Sequence, residues 1–348
     1  MKYLADSHNF GKSVTIQNGL VNKPRNIYWE MIFLNENSPL RILINRYSKI
    51  AGVVSPFEVA PNLKIFLSDF KSGIIEQLNV KKVDRCITQI EAQSIGAMSA
   101  LCYWLGIGDL HHENVVVGLD DNGKLICFPI DIETLFEKMT HVDQTLLFPS
   151  EKVSVSQCGL SSILSLIGQK NEKLAVGFIK EFVKMINLLN EISEKVLQEF
   201  LKDHNIHKYP IRMILRDTEA YYKAMYSENE KKHLDVSEIF QISRNDIPYF
   251  FRYLNTDSVF YFLKDNMDKT NVIVDREQFN LMSSIILTSS KQQDFLKTNT
   301  VFLSITYLAR IFGLPSSGLS LNKTSLYLNN KTLHFRLNNL NILFYETV

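Results

Sequence analysis

Gly108-Asp109-Leu110-His111-His112-Glu113-Asn114, followed by Phe128-Pro129-Ile130-Asp131-Ile132-Glu133, is the stretch on which the reading of this chain turns. One short loop carries an Asp, a His and an Asn, and an acidic pair follows one strand-sized interval later. Upstream, Cys86 to Leu105 reads as a largely apolar helix, with Ile87, Ile90, Ile95, Met98, Cys102 and Leu105 near a 3.6-residue period. Gly106 and Gly108 free the backbone to turn out of that helix into the Asp109 loop. Downstream, Val115 to Gly118 and Lys124 to Phe128 read as short strands joined by the turn Asp120-Asp121-Asn122-Gly123. The spacing therefore predicts that the loop enters a hairpin and that Asp131 leaves it.

These residue types suit one kind of chemistry. Phosphoryl transfer needs phosphates gripped, metal ions held between them, and an acceptor hydroxyl aimed and relieved of its proton. Asp109 and Asn114 stand five apart, the spacing of the catalytic Asp and metal-binding Asn of kinase loops. Asp131, with Glu133 beside it, falls where a metal acid is needed. The competing reading is an Asx-rich turn with a solvated carboxylate. Zinc suits the loop poorly, because adjacent His111 and His112 do not readily face one ion.

The N-terminal region supplies partners. Asp6-Ser7-His8-Asn9-Phe10-Gly11-Lys12-Ser13 is a polar turn before a strand, a candidate phosphate-covering loop, although it is not a Walker A sequence. Ser13-Val14-Thr15-Ile16 alternates, Asn18-Gly19 is a hairpin turn, and Leu20 to Lys23 forms the return strand, limited by Pro24. Lys23 ends that strand within reach of phosphates, and Glu30 is its candidate ion-pair partner. Ile27 to Tyr47 has helical spacing, and Pro56 and Pro61 mark a connection.

Further along, residues 134–160 carry few regular signals and read as a flexible loop. Phe178 to Phe200 makes one long amphipathic stripe whose ordinary meaning is packing against a core. Arg212 to Tyr226 reads as another helix, opened by Pro210. Residues 230–300 look helical and polar-rich. Ser320 to Tyr345 alternates like strands, with turns at Asn329-Asn330 and Asn338-Asn339.

Bulk properties narrow the class. The 348 residues, 45% hydrophobic, suffice for a sizeable core. Lys plus Arg number 38 against 37 Asp plus Glu, which argues against nucleic acid or an anionic membrane as the main partner. The four cysteines lack a CxxC pair and are expected as reduced thiols. No signal peptide and no membrane span are expected, so the cytosol is the expected location, with export as an effector lacking a cleavable signal as the alternative. The oligomeric state is not readable.

Taken together, Asp6-Ser7-His8-Asn9 with Gly11 to Val14, Lys23-Pro24-Arg25, Asp109 to Asn114, Pro129 to Phe136, and Arg212 to Thr218 with Tyr221 resemble the dehydratase domain of class II lanthipeptide synthetases. The resemblance covers residues 6 to about 226. The Asp-x-His-x-x-Asn pattern resembles lipid kinases more closely than protein kinases. The resemblance implies an α+β, two-lobed, lipid-kinase-like fold: an N-lobe with the phosphate loop and ATP lysine over 1–75, a mainly helical C-lobe over 76–230, and a helical and β extension over 231–348. It implies ATP and Mg2+ as cofactors and a peptide or protein substrate bearing Ser or Thr. Phosphorylation of those hydroxyls would be followed by phosphate elimination to dehydroalanine or dehydrobutyrine.

By position, Asp6, His8, Asn9 and Lys12 would shape the phosphate loop, and Lys23, supported by Glu30, would hold the phosphates. Asp109 and His111 would serve the acceptor hydroxyl, Asn114, Asp131 and Glu133 would be the metal residues, and Arg212 and Thr218 would serve elimination. The family's enzymes are far longer and usually carry a zinc cyclase, whose ligands are missing here; Cys158 is followed by Gly159 and not His. The resemblance thus implies a short, stand-alone form without cyclisation. Other readings are a stand-alone kinase acting on a different protein, another nucleotide transferase such as one transferring AMP, and a non-catalytic ATP-binding pseudokinase.

Overall fold

The computed structural model describes residues 7, 10–67, 72–137, 139–167, 171–203, 206–254, 258–263, 269–272, 298–314, 316–320, 323–328, 331–338 and 341–347. The protein is α+β, with small antiparallel sheets set around buried helices. Strands β1 (Thr15–Gln17) and β2 (Leu20–Lys23) form the expected hairpin, with Thr15 facing Asn22. Asn18 and Gly19 both take positive φ, as a two-residue hairpin turn requires. Helices α1 (Tyr28–Leu34) and α2 (Pro39–Ala51) replace the single helix expected over this region. Ser38 accepts a hydrogen bond from the Arg41 amide and Pro39 opens the second helix, so the chain starts afresh there. Strands β3 (Ile65–Leu67) and β4 (Gly73–Glu76) complete a sheet ordered β1-β2-β4-β3.

Helix α3 (Gln89–Trp104) is the centre of the molecule. Thr88 and Glu91 cap its start reciprocally, and twelve of its residues are buried, as befits a helix covered all round. Strands β5 (Val115–Leu119) and β6 (Leu125–Pro129) form the expected hairpin, with Val115 opposite Pro129. Residues 134–160 carry few regular elements, as expected, yet they are anchored. The Gly159 and Leu160 amides donate to the Leu146 and Leu147 carbonyls, at 2.9 and 3.0 Å, and Leu147, Phe148 and Leu160 are fully buried.

The chain then forms α4 (Ser161–Ile167), α5 (Glu172–Glu191) and α6 (Ser193–Lys202), and the long apolar stripe runs along the last two. The continuous helix expected from Phe178 to Phe200 is broken at Ile192, and both pieces bury their apolar faces. Helix α5 lies against α3 so closely that a Cβ on Gly96 would stand 2.3 Å from the Phe178 carbonyl oxygen.

The region from Arg212 differs from expectation. Ile211–Met213 is strand β7, and only Thr218–Tyr226 is helical (α7). After α8 (Glu228–Lys231) and α9 (Val236–Ile242) come β8 (Phe250–Arg252), β9 (Val259–Phe262) and β10 (Lys269–Val272), in a sheet ordered β10-β9-β8-β7. Ile211 and Met213 are buried on either side of Arg212. Period-two burial and a partner strand remote in sequence outweigh local helical spacing here. Helix α10 (Thr298–Ile311) precedes a four-strand meander, β11 (Ser316–Ser320), β12 (Lys323–Leu328), β13 (Lys331–Asn338) and β14 (Asn341–Thr347). No helix among the described residues is long and apolar enough to cross a membrane.

Candidate functional site

The Asp109 loop is built by two backbone segments running side by side. Helix α3 ends where Gly106 takes φ +60. Phe136 and Glu137 then donate their amides to the carbonyls of Leu105 and Gly106, both at 3.0 Å. Gly108 and Thr134 exchange two bonds: the Gly108 amide donates to the Thr134 carbonyl (3.3 Å) and the Thr134 hydroxyl to the Gly108 carbonyl (2.8 Å). Gly106 has no room for a side chain, since a Cβ there would lie 2.3 Å from the Glu137 carbonyl oxygen. The Leu110 and His112 amides donate to Thr145 and Gln157. The 134–160 segment therefore braces the loop from its far side.

Within the loop, Asp109 sits at φ +58, a left-handed conformation that Asp tolerates better than most residues. Asn114 Nδ2 donates to the Asp109 carbonyl at 2.7 Å and lies 3.4 Å from the Asp109 carboxylate. His111 Nδ1 accepts the Glu113 amide at 3.3 Å. His111 Nε2 lies 3.7 Å from Asp109 Oδ1 and 3.3 Å from Asn114 Nδ2. Burial, foremost among several influences, lowers the His111 pKa and keeps the ring neutral. Burial also raises the Asp109 pKa to about 7; Arg212 opposes the rise, and Glu133, Asp131 and Glu137 add to it.

The hairpin register brings the second motif to the same place. Val115 faces Pro129, and the Ile130 amide donates to the Asn114 carbonyl at 3.1 Å. Asn114 and Asp131 therefore flank one end of the β5–β6 hairpin. Lys23 arrives there from β2. Its Nζ lies 2.6 Å from Asp131 Oδ1, 3.2 Å from Glu30 Oε1 and 3.3 Å from the Ile130 carbonyl. Glu30 is fully buried and Lys23 nearly so. Lys23, Glu30 and Asp131 thus form one ion cluster.

Arg25 is a member that sequence reasoning passed over. Its guanidinium meets Glu30 (2.5 Å), Asp131, and Glu133 (3.0 Å). Burial opposes its charge, but Asp131, Glu133 and Glu30 outweigh burial and raise its pKa. The signal was its place: Arg25 follows Lys23 by two residues, beside the strand end that Pro24 limits. Against the cost of burial, Arg25 and Lys23 hold the Asp131 carboxyl well below the usual carboxylate range.

Arg212 reaches the cluster from β7. Its amide donates to the Glu133 carbonyl at 2.9 Å and its guanidinium pairs with the Glu133 carboxylate. That guanidinium also stands over the ring of buried Tyr249, 5.6 Å from its centre. Glu133, expected among the metal residues, is bracketed by Arg25 and Arg212, one on each carboxylate oxygen.

Other expected residues stand apart. Asp6, His8 and Asn9 lie outside the described residues, and Lys12 is half-buried just after the Gly11 turn. Thr218 opens α7, where Arg216 and Tyr221 both bond Glu238; no hydrogen bond or ion pair among the described residues joins Thr218 to the cluster. The amides of Phe10 and Gly11, expected to cover phosphates, are taken by the Asp246 carboxylate, each at 2.8 Å.

A cavity of about 790 Å3 lies elsewhere, between the 141–155 segment and α10, with His141, Tyr307 and Arg310 on its walls. Among the described residues no cluster of three His, Cys, Asp or Glu side chains has the form of a protein-only metal site. No family model matches the chain and no curated protein matches it, so the chemistry of this site rests on its geometry alone.

Proposed function

We propose that this protein is an ATP-dependent phosphotransferase acting on Ser and Thr hydroxyls of a peptide or protein. Its core would be two-lobed and lipid-kinase-like, as in the dehydratase domain of class II lanthipeptide synthetases. One observation carries the reading. Lys23 Nζ stands within 3.2 Å of Glu30 and 2.6 Å of Asp131, and Asp131 shares a hairpin end with the Asp109–Asn114 loop. Three segments thereby bring together groups that would serve as a phosphate-binding cation, a metal acid, an amide oxygen and a candidate base.

Magnesium fits the donors present. Mg2+ takes hard oxygen ligands, commonly one or two from the protein, with substrate phosphates and waters completing the set. Asn114 directs its Nδ2 at Asp109, which leaves its amide oxygen for a cation, and the Asp131 carboxylate is ionised. When bound, Mg2+ would screen phosphate charge. Asn114 and Asp131 would hold the ion, and Lys23, with Arg25 beside it, would face phosphate oxygens while Glu30 and Glu133 keep their pairs. Asp109, with its pKa near neutrality, is matched to accept the proton of an acceptor hydroxyl. His111, with Nε2 3.7 Å from the Asp109 carboxylate, would stand beside the developing charge.

Elimination of phosphate is the second part of the proposal and rests on Arg212. Its guanidinium enters the cluster beside Asp109, where a leaving phosphate could pair with it.

The test is transfer from labelled ATP to a panel of Ser- and Thr-containing peptides. Asp131→Asn should abolish the label while leaving the far-UV circular dichroism unchanged; full activity in that variant sinks the proposal. Intact mass distinguishes phosphoryl from adenylyl addition. Arg212→Ala should accumulate phosphopeptide where the native protein proceeds to loss of water.

A further inference from the structure

A buried carboxylate late in the chain holds the glycine turn near its start. Asp246 is fully buried. Its Oδ2 accepts the Phe10 amide and its Oδ1 the Gly11 amide, both at 2.8 Å. The Ser7 hydroxyl lies 3.3 Å from Oδ1 and donates to the Asn245 carbonyl at 2.9 Å, while the Ile247 amide donates back to the Ser7 carbonyl. Arg244 Nε lies 3.3 Å from the same carboxylate, with its guanidinium carbon 3.9 Å from the centre of the Phe10 ring.

The turn needs such support. Phe10 and Gly11 both take φ +74. A left-handed Phe is strained and persists only when its surroundings impose it. Successive amides in such turns form a concavity that binds anions. Here the anion is the chain's own.

Position gives the contact a consequence. Thr15 faces Asn22 across the β1–β2 hairpin, so the turn leading into β1 hangs from the end of the hairpin that carries Lys23. Three residues beyond Asp246, Tyr249 lies beneath the Arg212 guanidinium. Arg244 to Tyr249 therefore touches the glycine turn at one end and the Arg212–Glu133 pair at the other. We propose that this segment is a strap, with Asp246 as its anchor, and that it positions the turn beside the phosphate-binding end of the site. Asp246 is a positioning residue in this proposal; it touches no substrate. The nucleotide consequence rests on the phosphotransferase reading, whereas the anchoring does not.

Two measurements separate them. Amide hydrogen exchange in the ligand-free protein should show Phe10 and Gly11 protected, and Asp246→Asn should lose that protection while α5 keeps its own. Unchanged exchange at both amides, or loss of the whole fold in Asp246→Asn, overturns the anchor. ATP titration then reads the consequence. Asp246→Asn should weaken ATP on the order of tenfold, the scale of one lost charge-assisted hydrogen bond, with turnover at saturating ATP less affected. Gly11→Ala strains the same turn without steric conflict, since a Cβ there meets nothing within 4 Å, and should shift the ATP KM in the same direction. Equal ATP affinity in both variants overturns the positioning role. Absence of ATP binding in the native protein overturns the phosphotransferase reading, and the exchange result still decides the anchor.

Discussion

Replacing Asp109 with Asn separates the charge of the reactive loop from its shape. The position holds φ +58, which Asn adopts as readily as Asp. The bond that closes the loop runs from Asn114 to the backbone carbonyl of residue 109, so it survives the change. What disappears is a carboxylate whose pKa has been raised to about 7, chiefly by burial. An unfolded Asp titrates near ~3.9, so the shift is ~3 units, and at ~1.4 kcal/mol per unit its ceiling is ~4 kcal/mol. The side chain retains 26% exposure, and solvent screening lowers the working figure to on the order of 2–3 kcal/mol.

The sign follows from the direction of the shift. A carboxyl that binds its proton more tightly when folded favours folding fully below the unfolded pKa, and that contribution is lost as pH rises towards about 7. Asp109→Asn, which stays neutral, should therefore gain stability relative to the native protein between about pH 4 and about pH 7, then level off. Urea unfolding at a series of pH values measures the difference. Phosphoryl transfer by the same variant should be lost. A stability difference independent of pH would refute the raised pKa and, with it, the assignment of Asp109 as a base poised near neutrality.

Lys23→Met removes one of two cations from buried Glu30 and from Asp131; Arg25 remains, so unfolding should become easier by on the order of 1–3 kcal/mol, below the full cost of breaking a buried pair. ATP binding by that variant should fall below detection in calorimetry, and retained affinity would count against Lys23 as the phosphate cation. Gly96→Ala forces α3 and α5 apart against the Phe178 carbonyl, and thermal unfolding should show a loss on the order of 1–3 kcal/mol with the site chemistry preserved at lower temperature.

Local chemistry decided much of this protein from the sequence alone. Asn18-Gly19 set the first hairpin, Gly106 ended the central helix, and Asp120 to Gly123 turned the second hairpin, because caps and turns depend on backbone preferences within a few residues. That locality put Asp109, Asn114 and Asp131 together and made the Lys23–Glu30 pair an expectation.

Tertiary structure decided the rest. Ile211–Met213 became a strand because Phe250–Arg252 lay beside it, and no local pattern announces a partner so remote. Glu133 came to bridge Arg25 and Arg212. The Gly11 turn acquired its anion from Asp246, 235 residues away. Charges select partners by distance in space and by what burial leaves unpaired. The sequence therefore determined which groups were present and which short loops carried them; packing determined which charges meet.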